Sequence, residues 1–122
     1  MKPRRRARIV AVQALFEVDV AGHDPQQVLA NRMEEEQLPP ESLAFAQSLV
    51  YGALSHTALL DDVICRMAPD WPLEQMPGVD RNILRLAVHE ILFMSETPAK
   101  VVINEAVELA KLFGSESTSR FV

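Results

Sequence analysis

Residues 98–114, PAKVVINEAVELAKLFG, constrain this chain more than any other stretch. Val102, Ile103, Ala106, Leu109, Ala110 and Phe113 recur at steps of three and four, so a helix gathers them on one face. Thr97 is placed to cap that helix. Pro98 suits its first turn, where the missing N–H would have had no partner, and Gly114 stands where a left-handed C-cap is wanted. Asn104, Glu105, Glu108 and Lys111 fall on the opposite face. A start, an apolar stripe and a stop in register describe a core helix, and the rest of the fold must cover its stripe.

The remaining chain has the same character. A first helix is expected from about Pro3 or Arg4 to Val20, with Ile9, Val12, Phe16 and Val20 along one face and Leu15 beside them. Gly22-His23-Asp24-Pro25 closes it and opens the next, with Asp24 as cap, Pro25 at the first helical position and Gln27 completing a capping box. Val28, Leu29, Arg32 and Met33 make a short amphipathic helix, which Leu38-Pro39-Pro40 breaks. A third helix follows from about Glu41 and buries Ala46, Leu49, Val50, Ala53 and Leu54, with Leu43 and Phe45 extending that side. Ser55-His56-Thr57 bends or restarts the chain, with Thr57 as cap, and Leu59, Leu60, Val63, Ile64 and Met67 carry a fourth helix. Ala68-Pro69-Asp70-Trp71-Pro72 ends it, with Trp71 as a packing anchor, and Pro72 to Gly78 is a loop or a single short turn. The fifth helix, from Val79 or Asp80, has Leu84, Ala87, Val88, Ile91 and Leu92 as its stripe, Ile83 adjacent, and Arg81 and Arg85 on the other side. Ser117 is placed to cap a seventh helix. Strand-like alternation, hairpin dipeptides, repeats and low-complexity segments are absent from the sequence, so the expected class is all-α with short connections.

At 122 residues the chain is one domain by length, and 48% hydrophobic residues supply a core. A single cysteine, Cys65, excludes an internal disulfide framework, suits a reducing compartment and reads as a small buried hydrophobe. No apolar run is long enough to span a bilayer, and no signal-peptide pattern opens the chain; a cytoplasmic protein is expected. Charge is more informative. Lys2, Arg4, Arg5, Arg6 and Arg8 put five of twelve bases, and none of the seventeen acids, in the first eight positions. That segment is +5, and the remaining 114 residues carry −10. Such a protein binds a polyanion at one place rather than everywhere, or else carries a solvated basic tail. Cations sit at the electrostatically wrong end of the first helix, so a bound anion would ease them.

Catalytic chemistry is not legible. The four glycines form no phosphate loop or dinucleotide turn. His23, His56 and His89 have no partner at metal-ligand spacing; His56 reads as a helix-terminus residue and His89 as facing solvent or an interface. Glu34, Glu35 and Glu36 point in different directions on a helix and cannot converge on one ion. No enzyme activity, cofactor or metal is expected.

Three stretches resemble the NusB family (N-utilisation substance B), bacterial transcription antitermination factors. They are Arg4-Arg5-Arg6-Ala7-Arg8 with Val12-Gln13-Ala14-Leu15-Phe16, the segment 79–92 (VDRNILRLAVHEIL), and 98–114. The resemblance implies about seven helices in two small bundles side by side, roughly 1–55 and 56–122, with a seam near 55–57. It implies binding of boxA-type single-stranded nascent RNA together with the ribosomal protein NusE, in an RNA polymerase antitermination complex that supports ribosomal RNA transcription. By motif match Arg4, Arg5, Arg6 and Arg8, assisted by Lys2, would contact phosphates. Gln13 would lie near the RNA, and Arg120 and Phe121 would approach it before the last helix, Phe121 stacking on a base or packing in the core. NusE would lie along the fourth to sixth helices, with Glu74, Asp80, Asn104, Glu105 and Glu108 as candidates for meeting its bases. In the family the last helix continues past the match to Val122; the resemblance therefore leads one to expect that the last helix is truncated or incompletely recorded here, and that a missing helix leaves an exposed apolar groove that invites another chain. Some members self-associate, so a homodimer stands as an alternative to a monomer. A helical adaptor without RNA affinity, and the NusB-like domain of a ribosomal RNA methyltransferase, are the competing readings.

Overall fold

The computed structural model describes residues 2–70 and 72–113. They form six α-helices: α1 (Pro3–Phe16), α2 (Pro25–Glu36), α3 (Pro40–Ser55), α4 (Thr57–Met67), α5 (Gly78–Phe93) and α6 (Ala99–Phe113). A π-helical turn, Glu17–Ala21, extends α1, and a single 3-10 turn, Leu73–Gln75, precedes α5. No strand occurs among the described residues. The fold class is all-α, as expected. The expectations placed on Trp71, Gly114, Ser117, Arg120 and Phe121 lie outside the described residues.

The helix ends show how the sequence sets the breaks. The Asp24 carboxylate accepts from the Gln27 backbone N–H, and Pro25 takes the first helical position. Only half of the capping box forms, because the Gln27 amide donates to Asn31 instead of returning to Asp24. Gly22, at φ 72°, ends the π-helical turn in the left-handed conformation that a side chain would strain. Thr57 does not cap α4. Its hydroxyl donates backwards to the carbonyls of Ala53 and Leu54, satisfying acceptors in the last turn of α3. The chain bends by 79° between α3 and α4. Pro98 sits one place earlier than expected: its carbonyl accepts from Val101 and Val102, so it occupies the cap and α6 begins at Ala99.

α1 lies at the centre and packs against α2, α3 and α5, while α5 also packs against α4 and α6. Ala7, Ala11 and Ala14 are fully buried one turn apart, and their small side chains let α1 and its neighbours approach closely. One core joins them to Ala46, Leu49 and Val50 of α3, Ile83 and Leu86 of α5, and Ala106, Leu109 and Ala110 of α6, crossing the bend at 55–57. A smaller cluster of Ile64, Leu73, Met76 and Leu84 closes the far end.

Four helices depart from their expected faces. On α1 and its π-helical extension Phe16 and Val20 are exposed while Val10, Ala11 and Ala14 are buried, because three neighbouring helices cover α1. On α6 Ile103 and Phe113 are exposed. On α5 the buried set is Asp80, Asn82, Ile83, Leu84, Leu86, His89 and Glu90, whereas Ile91 and Leu92 are exposed. Four neighbouring helices surround α5, so its polar side is covered as well as its apolar one. His89, expected at a surface or interface, is therefore buried. On α4 only Leu60 and Ile64 are buried. Met67 is 77% exposed, and Cys65, expected to be buried, lies at the surface.

Candidate nucleic-acid interface

The basic residues at the head of α1 are not a frayed tail. Pro3 starts the helix, and the Lys2 carbonyl accepts the Arg6 N–H. Successive positions on a helix point about 100° apart, so the four arginines reach four different elements. Arg4 lies over the Phe45 ring of α3, its guanidinium carbon 4.1 Å from the ring centroid. Arg5 grips Glu105 of α6 through Nε and Nη2, each bond 3.0 Å long. Arg6 donates to the Glu36 carbonyl at 2.7 Å, an acceptor left over in the last turn of α2. Arg8 turns inward and donates to both oxygens of Glu90 on α5, at 2.9 and 2.6 Å. Glu105 and Glu90 thus supply the anions that cations at a helix N-terminus call for.

This separates the candidate phosphate ligands. Lys2 and Arg4 are exposed and Arg5 and Arg6 are partly so, but the Arg8 side chain is 7% exposed and its charge is matched by Glu90. Arg8 departs from its expected role: it cannot meet a phosphate in solvent without leaving a buried carboxylate unpaired. Lys2, Arg4, Arg5 and Arg8 line a groove of about 420 Å³, whose other wall is Glu96, Thr97, Pro98, Val101 and Glu105 at the α5–α6 corner. The Arg5 hydrogen bond holds the Glu105 carboxyl below its ordinary range, aided by the fields of Arg8 and Lys2. Gln13 lies away from this end, half-buried, with its amide oxygen 3.4 Å from Arg32.

The candidate partner residues also divide. Glu74 and Asn104 are exposed, and Glu108 is partly exposed with Lys111 at 3.4 Å. Asp80 is buried in the first turn of α5, and Glu105 faces Arg5. On the α4–α5–α6 side an apolar groove of about 220 Å³ is lined by Ile64, Met67, Leu84, Ala87, Val88, Ile91 and Ile103.

Three features escape a reading of the sequence alone. Glu90 is one; its signal was an isolated acid in the apolar run 83–93, which a buried cation explains. Asp19 in the π-helical turn is the second. It accepts from Arg81 at 2.7 Å and from Asn82 at 3.0 Å, with Arg85 at 3.3 Å, and Arg85 also grips Asp61. Burial alone would raise the Asp19 carboxyl, but the bonds from Arg81 and Asn82 outweigh it and hold it low. The third is a ring stack: His56 on Phe93, centroids 4.1 Å apart, with His89 beside both. A Cβ on Gly52 would run into the His89 imidazole at Nε2, so a glycine is required opposite this ring.

Fold and site together define a small all-helical binding domain that concentrates exposed cations at one end of an acidic body. The NusB family model matches residues 5–122. A transcription antitermination protein NusB from Roseiflexus sp. (strain RS-1) is 55% identical over 121 residues, covering 98% of this chain and 85% of that protein. The structure of T. maritima NusB superposes with a TM-score of 0.89 at 34% identity, covering 99% of this chain and 85% of that one. A crystal structure of the antitermination factors NusB and NusE in complex with dsRNA superposes with a TM-score of 0.88 at 27% identity, covering 99% and 90%. The chain belongs to the NusB family, whose antitermination proteins are regulators rather than enzymes.

Proposed function

We propose that this chain is a cytoplasmic transcription antitermination factor that binds boxA-type single-stranded nascent RNA together with the ribosomal protein NusE, supporting ribosomal RNA transcription. The observation that carries the reading is the exposed pair Lys2 and Arg4 at the head of α1, with Arg6 partly exposed near them, beside a groove of about 420 Å³ on a body that is otherwise acidic. Cations held by a folded helix give a strand affinity and register, while bases must be read by polar and aromatic groups. Arg120 and Phe121 keep that role in the proposal, and Gln13 a lesser one. The names of the relatives, and the solved complex of a relative with NusE and RNA, support it.

NusE would lie along α4 to α6, with Glu74, Asn104 and Glu108 meeting its basic residues and the Met67–Ile91–Ile103 groove accepting an apolar side chain. Asp80 and Glu105 are engaged within the protein and leave this set. One observation favours a second reading of the RNA: the solved complex contains double-stranded RNA.

The test is a titration of labelled boxA-like single strand and of a duplex of the same sequence across a salt series, with and without NusE. If Lys2, Arg4 and Arg6 each meet a phosphate, log K falls with log salt at a slope of about −2, and Lys2→Ala with Arg4→Ala flattens it. Single-strand binding enhanced by NusE and lost in that variant is the expected result. Preference for the duplex moves the reading to double-stranded RNA, and equal binding by variant and wild type leaves a helical adaptor.

A further inference from the structure

Resting on the reading that RNA binds at the head of α1, we infer that Glu105 is an acidic gate of the phosphate groove. Its carboxylate occupies, in the free protein, the place on Arg5 that a backbone phosphate takes in the complex. The geometry is that of an exchangeable anion. Nε and Nη2 of Arg5 meet the two carboxylate oxygens side by side, each at 3.0 Å. A phosphodiester offers the same fork two unesterified oxygens in the same arrangement.

The two arginine–glutamate pairs at this end of α1 differ in what they can do. Arg8–Glu90 is closed, with side chains 7% and 3% exposed. Arg5–Glu105 stands on the wall of the groove, with side chains 34% and 18% exposed. A pair open to water is held weakly and exchanges its partner readily. Arg5 is long and flexible, whereas Glu105 is carried in the second turn of α6 on a rigid backbone. An incoming phosphate therefore draws the guanidinium away rather than moving the helix.

The charge balance gives the gate its purpose. Lys2, Arg4 and Arg5 face Glu96 and Glu105 across the groove, and Arg8 is already matched by Glu90. The free groove is thus only weakly cationic. A lone anion gains little there, because it must compete with a tethered carboxylate. A strand that engages Lys2 and Arg4 at once brings its next phosphate to Arg5 at high effective concentration and displaces Glu105. The gate lowers affinity for polyanions in general and spares a strand in register.

The experiment is a double-mutant cycle on the full chain: wild type, Glu105→Gln, Arg5→Ala and the double variant, each titrated with a fluorescein-labelled single-stranded boxA-like RNA between 50 and 300 mM salt. Thermal melts establish that each variant is folded. Arg5 meets its phosphate in both complexes, so Glu105→Gln leaves the salt slope near the wild-type value and tightens binding about two- to fivefold by removing the competing ion pair. Arg5→Ala then costs more in the Glu105→Gln background than in wild type. Weaker binding by Glu105→Gln, or a smaller cost of Arg5→Ala in that background, overturns the gate and makes Glu105 a positioning residue for Arg5. Tight wild-type binding that Glu105→Gln leaves unchanged also overturns it while sparing the RNA reading. Absence of binding by all four proteins sinks both.

Discussion

Cutting the Arg8–Glu90 pair from one side tests the central packing of α1 on α5. Both side chains are buried, with bonds of 2.9 and 2.6 Å, and the neighbouring cavity of about 10 Å³ is at the threshold for a single water. A guanidinium or carboxylate left alone there cannot be resolvated. Removing one partner of such a pair costs ~3–5 kcal/mol, whereas replacing both by apolar side chains of similar volume is neutral or stabilising by ~1–4 kcal/mol. In a domain of this size ~1 kcal/mol moves Tm by roughly 3–6 °C. Arg8→Met and Glu90→Leu should each lower Tm by roughly 10–25 °C, and the double variant should return to the wild-type value or above. Urea unfolding followed by far-ultraviolet circular dichroism measures all four proteins, and the coupling term is the deciding quantity. The double variant should also bind RNA like wild type. A cost below ~1 kcal/mol for Arg8→Met, together with weaker RNA binding, would refute the reasoning and return Arg8 to the surface as a phosphate ligand.

Three further outcomes follow from the packing. Gly52→Ala drives a methyl into the His89 ring, so despite a helix-propensity gain of ~1 kcal/mol it should lower stability by ~1–3 kcal/mol in a denaturant titration, and His89→Ala should relieve it. Burial of His89, and next the charge of His56, push the His89 imidazole below its ordinary value against the pull of Glu90, and its Nδ1 finds no hydrogen-bond partner among the described residues. The unfolded chain then binds a proton that the folded one refuses, so stability should fall as pH drops below about 6.5, by at most ~1.4 kcal/mol per unit, and His89→Phe should flatten that limb of the melting profile. Asp19→Ala should cost ~1–2 kcal/mol at pH 7 by releasing Arg81, Asn82 and Arg85. Because the Asp19 carboxyl is held low, that difference should vanish as pH falls below about 4, and a pH-independent cost would show that the charge is not what matters.

The helices themselves were legible. Asp24-Pro25, Leu38-Pro39-Pro40 and the Pro98 start are local signals acting within one turn of chain, and each break stands within a residue or two of its expected place. Most of the α6 stripe was legible too: Val102, Ala106, Leu109 and Ala110 are buried, although Ile103 and Phe113 are exposed. Concentration of bases at one end needed only counting.

What a polar side chain does depends on what another element brings to it, and periodicity carries no such information. Arg5 and Arg8 look alike in the sequence, three positions apart. Only the tertiary structure gives Arg8 a carboxylate 82 residues away in the interior and Arg5 one 100 residues away at a groove wall. The same reason buries Glu90, Asn82 and His89 on a helix whose apolar Ile91 and Leu92 face outward. The sequence determined the helices, their breaks, the charged end and the family. Packing of α1 among α2, α3 and α5 decided which charges are structural and which remain to meet a ligand, because desolvation is set by the neighbours and not by the chain's own period.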